Sequence, residues 1–153
     1  MAGGAPDIRD YFAEMYVAAL LGDAGCNVYF PRRDNGFDMI VSFNADNKPV
    51  IRPIQVKGHY PTAEKTNKVT YGYRGRLSLV HPDMVLALVF FDVDQGTPAP
   101  HHVAWMPFEK VVKTVKGYRC EPASFKDGKA VPRRDHRSYF DKVGLDRLLS
   151  DNF

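Results

Sequence analysis

The sequence predicts an α/β protein with a mixed central β-sheet flanked by helices. Three features point there. Residues 8–22 are apolar on nearly every side of a helical wheel. A series of short runs rich in Val, Ile, Phe and Tyr follows. Residues 138–149 then alternate as an amphipathic helix.

The first helix has Asp7 as its expected N-cap and Gly25 just past its end. Its central stretch, YFAEMYVAALL, carries a single charge, Glu14. A helix so apolar is buried on more than one side, and Tyr11, Phe12, Met15 and Tyr16 are expected in the core. Cys26–Phe30 reads as a short strand stopped by Pro31, and the basic turn PRRDNG follows. Phe37–Phe43 is a second strand. The stretch from Asn44 to Pro49 has turn chemistry. Val50–Lys57 is a third strand, with Pro53 marking an edge or a bulge. Residues 58–76 read as a polar loop with some strand pairing at its end. Leu77–Val80 and Met84–Val93 are further strands. The continuous run MVLALVFF suits a central strand covered on both faces. His101–Met106 is another strand, and Phe108–Lys113 opens a short helix after Pro107.

With 153 residues, the chain is expected to form one domain spanning 1–153. Its core would be 8–113, followed by a basic irregular segment at 117–137 and the helix at 138–149. Hydrophobic residues make up 44% and charged residues 25%, which excludes disordered and collagenous chains. The longest apolar run, Met84–Phe91, falls far short of the ~20 residues of a membrane helix. No membrane partner is expected, and the start MAGGAPDIRD lacks the apolar core of a signal peptide. Cys26 and Cys120 form no disulfide framework, so the expected compartment is the cytoplasm. The net charge of +3 permits nucleic-acid binding without requiring it.

Strands two and three should form an antiparallel hairpin. With its turn on Asp46-Asn47, Asp38 lies opposite Gln55. Side chains alternate along a strand. Asp38, Ile40 and Ser42 therefore share one face, and Gln55 and Lys57 share a face of the next strand. One patch of sheet then gathers a carboxylate, a carboxamide and an ammonium. Buried Asp and Lys are rare unless paired. The patch is therefore either an Asp38–Lys57 ion pair or a working site. Glu14 has two readings as well. If the stripe it shares with Val17, Ala18 and Leu21 packs on the hairpin, Glu14 reaches the Asp38 patch. If that stripe faces water, Glu14 is a solubilising charge.

The string Glu14-xxx-Ala18-xx-Leu21-xxx-Gly25-xx-Val28-xx-Pro31, then Phe37-Asp38-Met39-Ile40-Val41, then Ile54-Gln55-Val56-Lys57-Gly58, resembles the core of the PD-(D/E)XK nuclease superfamily. It is most similar to archaeal Holliday-junction resolvases and to the Gln-x-Lys intron-encoded homing endonuclease group. The resemblance covers about residues 8–58. It implies a restriction-endonuclease-like fold and a Mg²⁺- or Mn²⁺-dependent DNA endonuclease that hydrolyses phosphodiester bonds. In that pattern Asp38, Gln55, the backbone carbonyl of Val56 and Glu14 are the metal positions. Lys57 is the lysine that orients the attacking water and steadies the phosphate. Asp38, Gln55, Lys57 and Glu14 together form the expected catalytic set. Hard Mg²⁺ takes oxygen ligands and keeps several waters, so few carboxylates suffice. Gln55 departs from the acidic residue usual at its position and removes a negative charge from the site. The alternative is therefore a catalytically inactive nuclease-fold protein that binds nucleic acid or a protein partner. A third reading drops the resemblance and leaves a small α/β interaction protein with only the ion pair.

Arg32, Arg33, Lys65, Lys68, Arg74 and Arg76 are candidate contacts to a nucleic-acid backbone, since Arg matches phosphate with paired donors. His59 follows the Lys57 strand and reads either as a loop histidine or as a contact to DNA or to the attacking water, and Asp34 is a neighbour of the arginines. His101 and His102 read as a surface pair. Cutting two strands needs two sites, so a homodimer or homotetramer is expected.

Overall fold

The computed structural model describes residues 4–33, 36–61, 67–94, 97–150 and 153. The chain begins with helix α1 (Gly4–Asp23), and strands β1 (Asn27–Tyr29), β2 (Met39–Ala45) and β3 (Lys48–His59) follow. Next come β4 (Lys68–Gly75), β5 (Val85–Asp94), β6 (Thr97–Pro107), a 3-10 turn (Phe108–Lys110) and β7 (Val112–Thr114). β8 (Gly117–Lys126), β9 (Lys129–Pro132), a second 3-10 turn (Arg134–Tyr139) and helix α2 (Asp141–Leu148) complete it.

Two sheets result. Sheet A has the order β1-β2-β3-β5-β6, and its β3–β5 pair is parallel while the rest are antiparallel. Sheet B sets β4 on one side of β8, and β7 and β9 on the other. A mixed sheet within an α/β protein is what the sequence predicts. Among the described residues, however, α1 and α2 cover one face of sheet A. Val17 and Leu21 of α1 and Leu148 of α2 pack with Met39, Ile54, Val56, Val85 and Trp105. On the other face, Leu86, Leu88 and Phe90 meet Cys120, Ala123 and Ala130 of sheet B.

Sheet B is where the sequence reading fails most. The segment 117–137, read as irregular, holds β8 and β9 joined at Asp127-Gly128. Both residues have positive φ, 53° and 80°. That is the two-residue turn whose twist matches a hairpin. The core therefore does not end at 113. Leu77–Val80 forms no strand, and the helix expected at Phe108–Lys113 is a 3-10 turn followed by β7. The polar loop expected at 58–76 contains the end of β3 and all of β4, while α2 starts at Asp141 rather than Ser138. Asp141 itself adopts φ 56°. Its carboxylate takes the Val103 N–H at 2.9 Å and contacts His102 Nδ1 at 2.7 Å, which fastens α2 to β6.

α1 starts before Asp7, so that residue is no N-cap. At its other end the Cys26 N–H donates to the Leu21 carbonyl and the Gly25 N–H to Gly22, with Gly25 at φ 99°. This paired closure needs a left-handed residue, which glycine supplies. The buried stripe is Ala13, Val17 and Leu21, whereas Tyr11 and Phe12 are exposed rather than in the core. β5, expected in the centre, is buried on both faces. Pro53 is not on an edge strand, since β3 is internal. Its nitrogen faces the β5 side, and pairing with β5 begins only at Ile54, so no ladder bond is lost. Among the described residues, no helix is long and apolar enough to cross a membrane.

Candidate functional site

The hairpin that builds the patch has the register expected from its turn. Asp46 and Asn47 take φ 51° and 64°, and Ala45 pairs with Lys48. β2 begins at Met39, paired with Ile54, and β3 continues alone past that point on this side. Its next N–H toward β2, that of Val56, has no strand partner there. Asp38 supplies one. Its carboxylate Oδ2 accepts the Val56 N–H at 2.6 Å and Gln55 Nε2 at 3.3 Å. The Asp38 N–H in turn donates to the Ile54 carbonyl at 2.9 Å. N–H and C=O of one strand residue project to the same side, so the Val56 carbonyl also points toward the Asp38 edge.

Gln55 is 7% exposed and is the one polar residue of the buried core among the described residues. Its Oε1 is buried with no hydrogen-bond partner among them. A buried orphan acceptor costs about 1–3 kcal/mol and calls for a physical reason. Lys57 follows on the same face of β3, and its Nζ lies 5.1 Å from the centroid of the Tyr73 ring on β4. This cation–π contact holds the ammonium at the seam between the two sheets.

His59 is the third residue of this row and ends β3 rather than sitting in a loop. Its ring stacks on Phe90 at 5.2 Å and meets the edge of Tyr71 at 5.7 Å. Burial, and then the Lys57 ammonium, push its pKa down to about 4. The ring is thus neutral near pH 7, with a buried Nε2 that has no partner among the described residues.

Glu14 is half-buried on α1. The Cβ of its neighbour Ala13 stands 3.3 Å from where a Cβ on Gly58 would be, so the helix crosses β3 there. Phe12 contacts Phe91 of β5, with ring centroids 5.3 Å apart. Successive helical residues are turned by about 100°. Glu14 therefore leans to the side opposite Phe12, toward β2. The buried stripe is Ala13, Val17 and Leu21, with Glu14 and Ala18 half-buried beside it.

The basic candidates scatter. Arg32 and Arg33 are exposed between β1 and β2, and Arg76 is exposed after β4. Lys65 and Asp34 lie outside the described residues. Lys68 and Arg74 line one cleft with His59, Tyr71 and Tyr73. Arg74 is not free to grip a ligand with its whole fork, because its Nε and Nη2 reach the Glu121 carboxylate at 3.1 and 3.2 Å. His101 pairs with Asp92 at 3.4 Å. Both cysteines are free and buried. Burial raises the Cys26 thiol, and burial with the Glu121 charge pushes Cys120 up to about 12. Both shifts disfavour the thiolate.

Among the described residues, no group of three or more His, Cys, Asp or Glu side chains stands together as a metal cage. The donors around Asp38 include a carboxamide and a backbone carbonyl, which lie outside that set. Comparison with models of known protein families and with curated proteins returns no match.

Proposed function

We propose that the chain is a Mg²⁺- or Mn²⁺-dependent DNA endonuclease of the restriction-endonuclease-like type. One observation carries this reading: the Asp38 carboxylate abuts Gln55 and Val56, and Lys57 comes next on the same strand. An isolated ion pair would not require an unpartnered, buried Gln55 Oε1 beside that carboxylate. The oxygen donors present suit a small hard cation: Asp38, Gln55 Oε1 and the Val56 carbonyl, with Glu14 from the helix. When bound, such an ion lowers the pKa of its water and neutralises charge on the phosphate. The chain's own residues do the rest. Asp38 fixes the ion's place because it is anchored to the β3 backbone. Lys57 offers three donors to the attacking water and to a non-bridging phosphate oxygen, and Tyr73 keeps its ammonium near the seam. Water oxygen bonds to phosphorus and gives its proton to solvent, as the bond to the leaving sugar oxygen breaks and that oxygen takes a proton from solvent. Cutting both strands of DNA calls for two such sites, in a homodimer or homotetramer.

A second reading has its own observation. The Gln55 amide already donates to Asp38, as a substituted ligand would in a catalytically inactive nuclease-fold protein that binds nucleic acid or a protein partner. A plasmid-nicking assay separates the two. With Mg²⁺ the first predicts nicking that EDTA abolishes. Salt-sensitive DNA retardation without nicking supports the second. Neither retardation nor nicking removes DNA from the account.

A further inference from the structure

Beside sheet B, cations from four elements line one cleft of about 260 Å³. They are Arg74 of β4, Lys110 of the first 3-10 turn, Arg119 of β8, and Arg133 with His136 at the second 3-10 turn. The one carboxylate lining the cleft, Glu121, is already engaged. Its side chain is 13% exposed, takes Arg74 in a two-point pair, and has Arg119 Nε at 4.0 Å. Its backbone carbonyl accepts Arg133 Nη1 at 2.9 Å, which fixes that guanidinium in place. Counting also Asp135, whose charge reaches His136, four permanent cations face two carboxylates. His136 Nδ1 is buried with no partner among the described residues. Burial, Arg133 and Lys110 lower the affinity of this ring for a proton, against the pull of Asp135. Like charges gathered this closely repel unless an anion joins them.

We propose that this cleft is a phosphate-binding site, in which Arg133, Arg119, Lys110 and His136 surround a single tetrahedral phosphate group. A phosphate presents several acceptor oxygens, which suits donors converging from different directions, and guanidinium forks match it with paired bonds. Glu121 acts as the brace that orients Arg74 and Arg133, not as a competitor for the ligand. The phosphate has two possible sources, the backbone of a nucleic acid or a free phosphate compound. The cleft shares no residue with the Asp38 centre, so binding here survives if the nuclease reading fails.

The test is calorimetry of the full chain at low salt, first with inorganic phosphate and then with a short single-stranded oligonucleotide. Binding of either is expected to weaken about tenfold or more in Arg133→Gln and in Lys110→Gln. Lys110 is exposed, so its variant remains informative if Arg133→Gln does not fold. Phosphate binding that the oligonucleotide displaces identifies a nucleic-acid backbone as the source. Phosphate binding that it leaves untouched identifies a free phosphate compound. Oligonucleotide binding alone, weakened by both variants, also identifies the backbone. No binding of either probe, or binding that neither variant changes, overturns the site. Asp38→Asn is expected to bind phosphate like wild type, which separates this outcome from that of the nicking assay.

Discussion

Asp38 does two things at once, and substitutions can part them. Its carboxylate caps the Val56 N–H where β2 has ended, so Asp38→Ala orphans a backbone donor and should cost about 1–3 kcal/mol in urea denaturation. Asp38→Asn keeps an acceptor oxygen and should lose clearly less. Equal stability of Asp38→Ala and wild type would remove the capping role. Gln55→Glu places a second carboxylate against the first. Its thermal midpoint should fall below wild type in EDTA and recover on adding Mn²⁺, and a midpoint indifferent to Mn²⁺ would speak against an ion at this spot. His59 makes stability depend on pH. Folded, its pKa is about 4; unfolded, it returns to about 6.5. The unfolded chain therefore binds the extra proton in that window, and stability falls as pH drops from 6.5 toward 4. Urea midpoints across this range should decline in wild type and flatten in His59→Phe. An identical slope in both would assign the decline to other groups.

β4 meets β8 closely where their pairing shifts register. A Cβ on Gly72 would lie 2.4 Å from the Cys120 carbonyl oxygen and 2.8 Å from the Glu121 Cα, both backbone atoms that cannot turn aside. Gly72→Ala should destabilise by about 1–3 kcal/mol. Gly22→Ala, near the end of α1 with nothing within 4 Å, should instead stabilise by about 0.4–1 kcal/mol. Thermal melts of the pair check the opposite signs. The same junction explains what the sequence conceals. The β2–β3 hairpin is legible because its register depends on two turn residues, and the contact of Asp38 with Gln55 follows from that register. β8 is not legible because its shift breaks the period-two pattern, with Cys120, Pro122 and Ala123 all turned inward. Its basic residues then resemble a solvated loop. The Asp127-Gly128 dipeptide was the available signal. Tyr73 beneath Lys57 joins separate sheets, and Glu121 beside Arg74 joins neighbouring strands far apart in the chain. No local pattern announces such pairs.

At the scale of the whole molecule, sheet A carries helices on one face and a second sheet on the other. Gln55, Lys57 and His59 point into the seam between the sheets, while Glu14 lies on the helical side of sheet A. The most direct test compares initial rates of supercoiled-plasmid nicking in Mg²⁺ for wild type and for Asp38→Asn of matched thermal midpoint. The account predicts EDTA-sensitive nicking by wild type and none above background by Asp38→Asn. Equal rates for the two proteins, or no nicking by wild type in either Mg²⁺ or Mn²⁺, would contradict it.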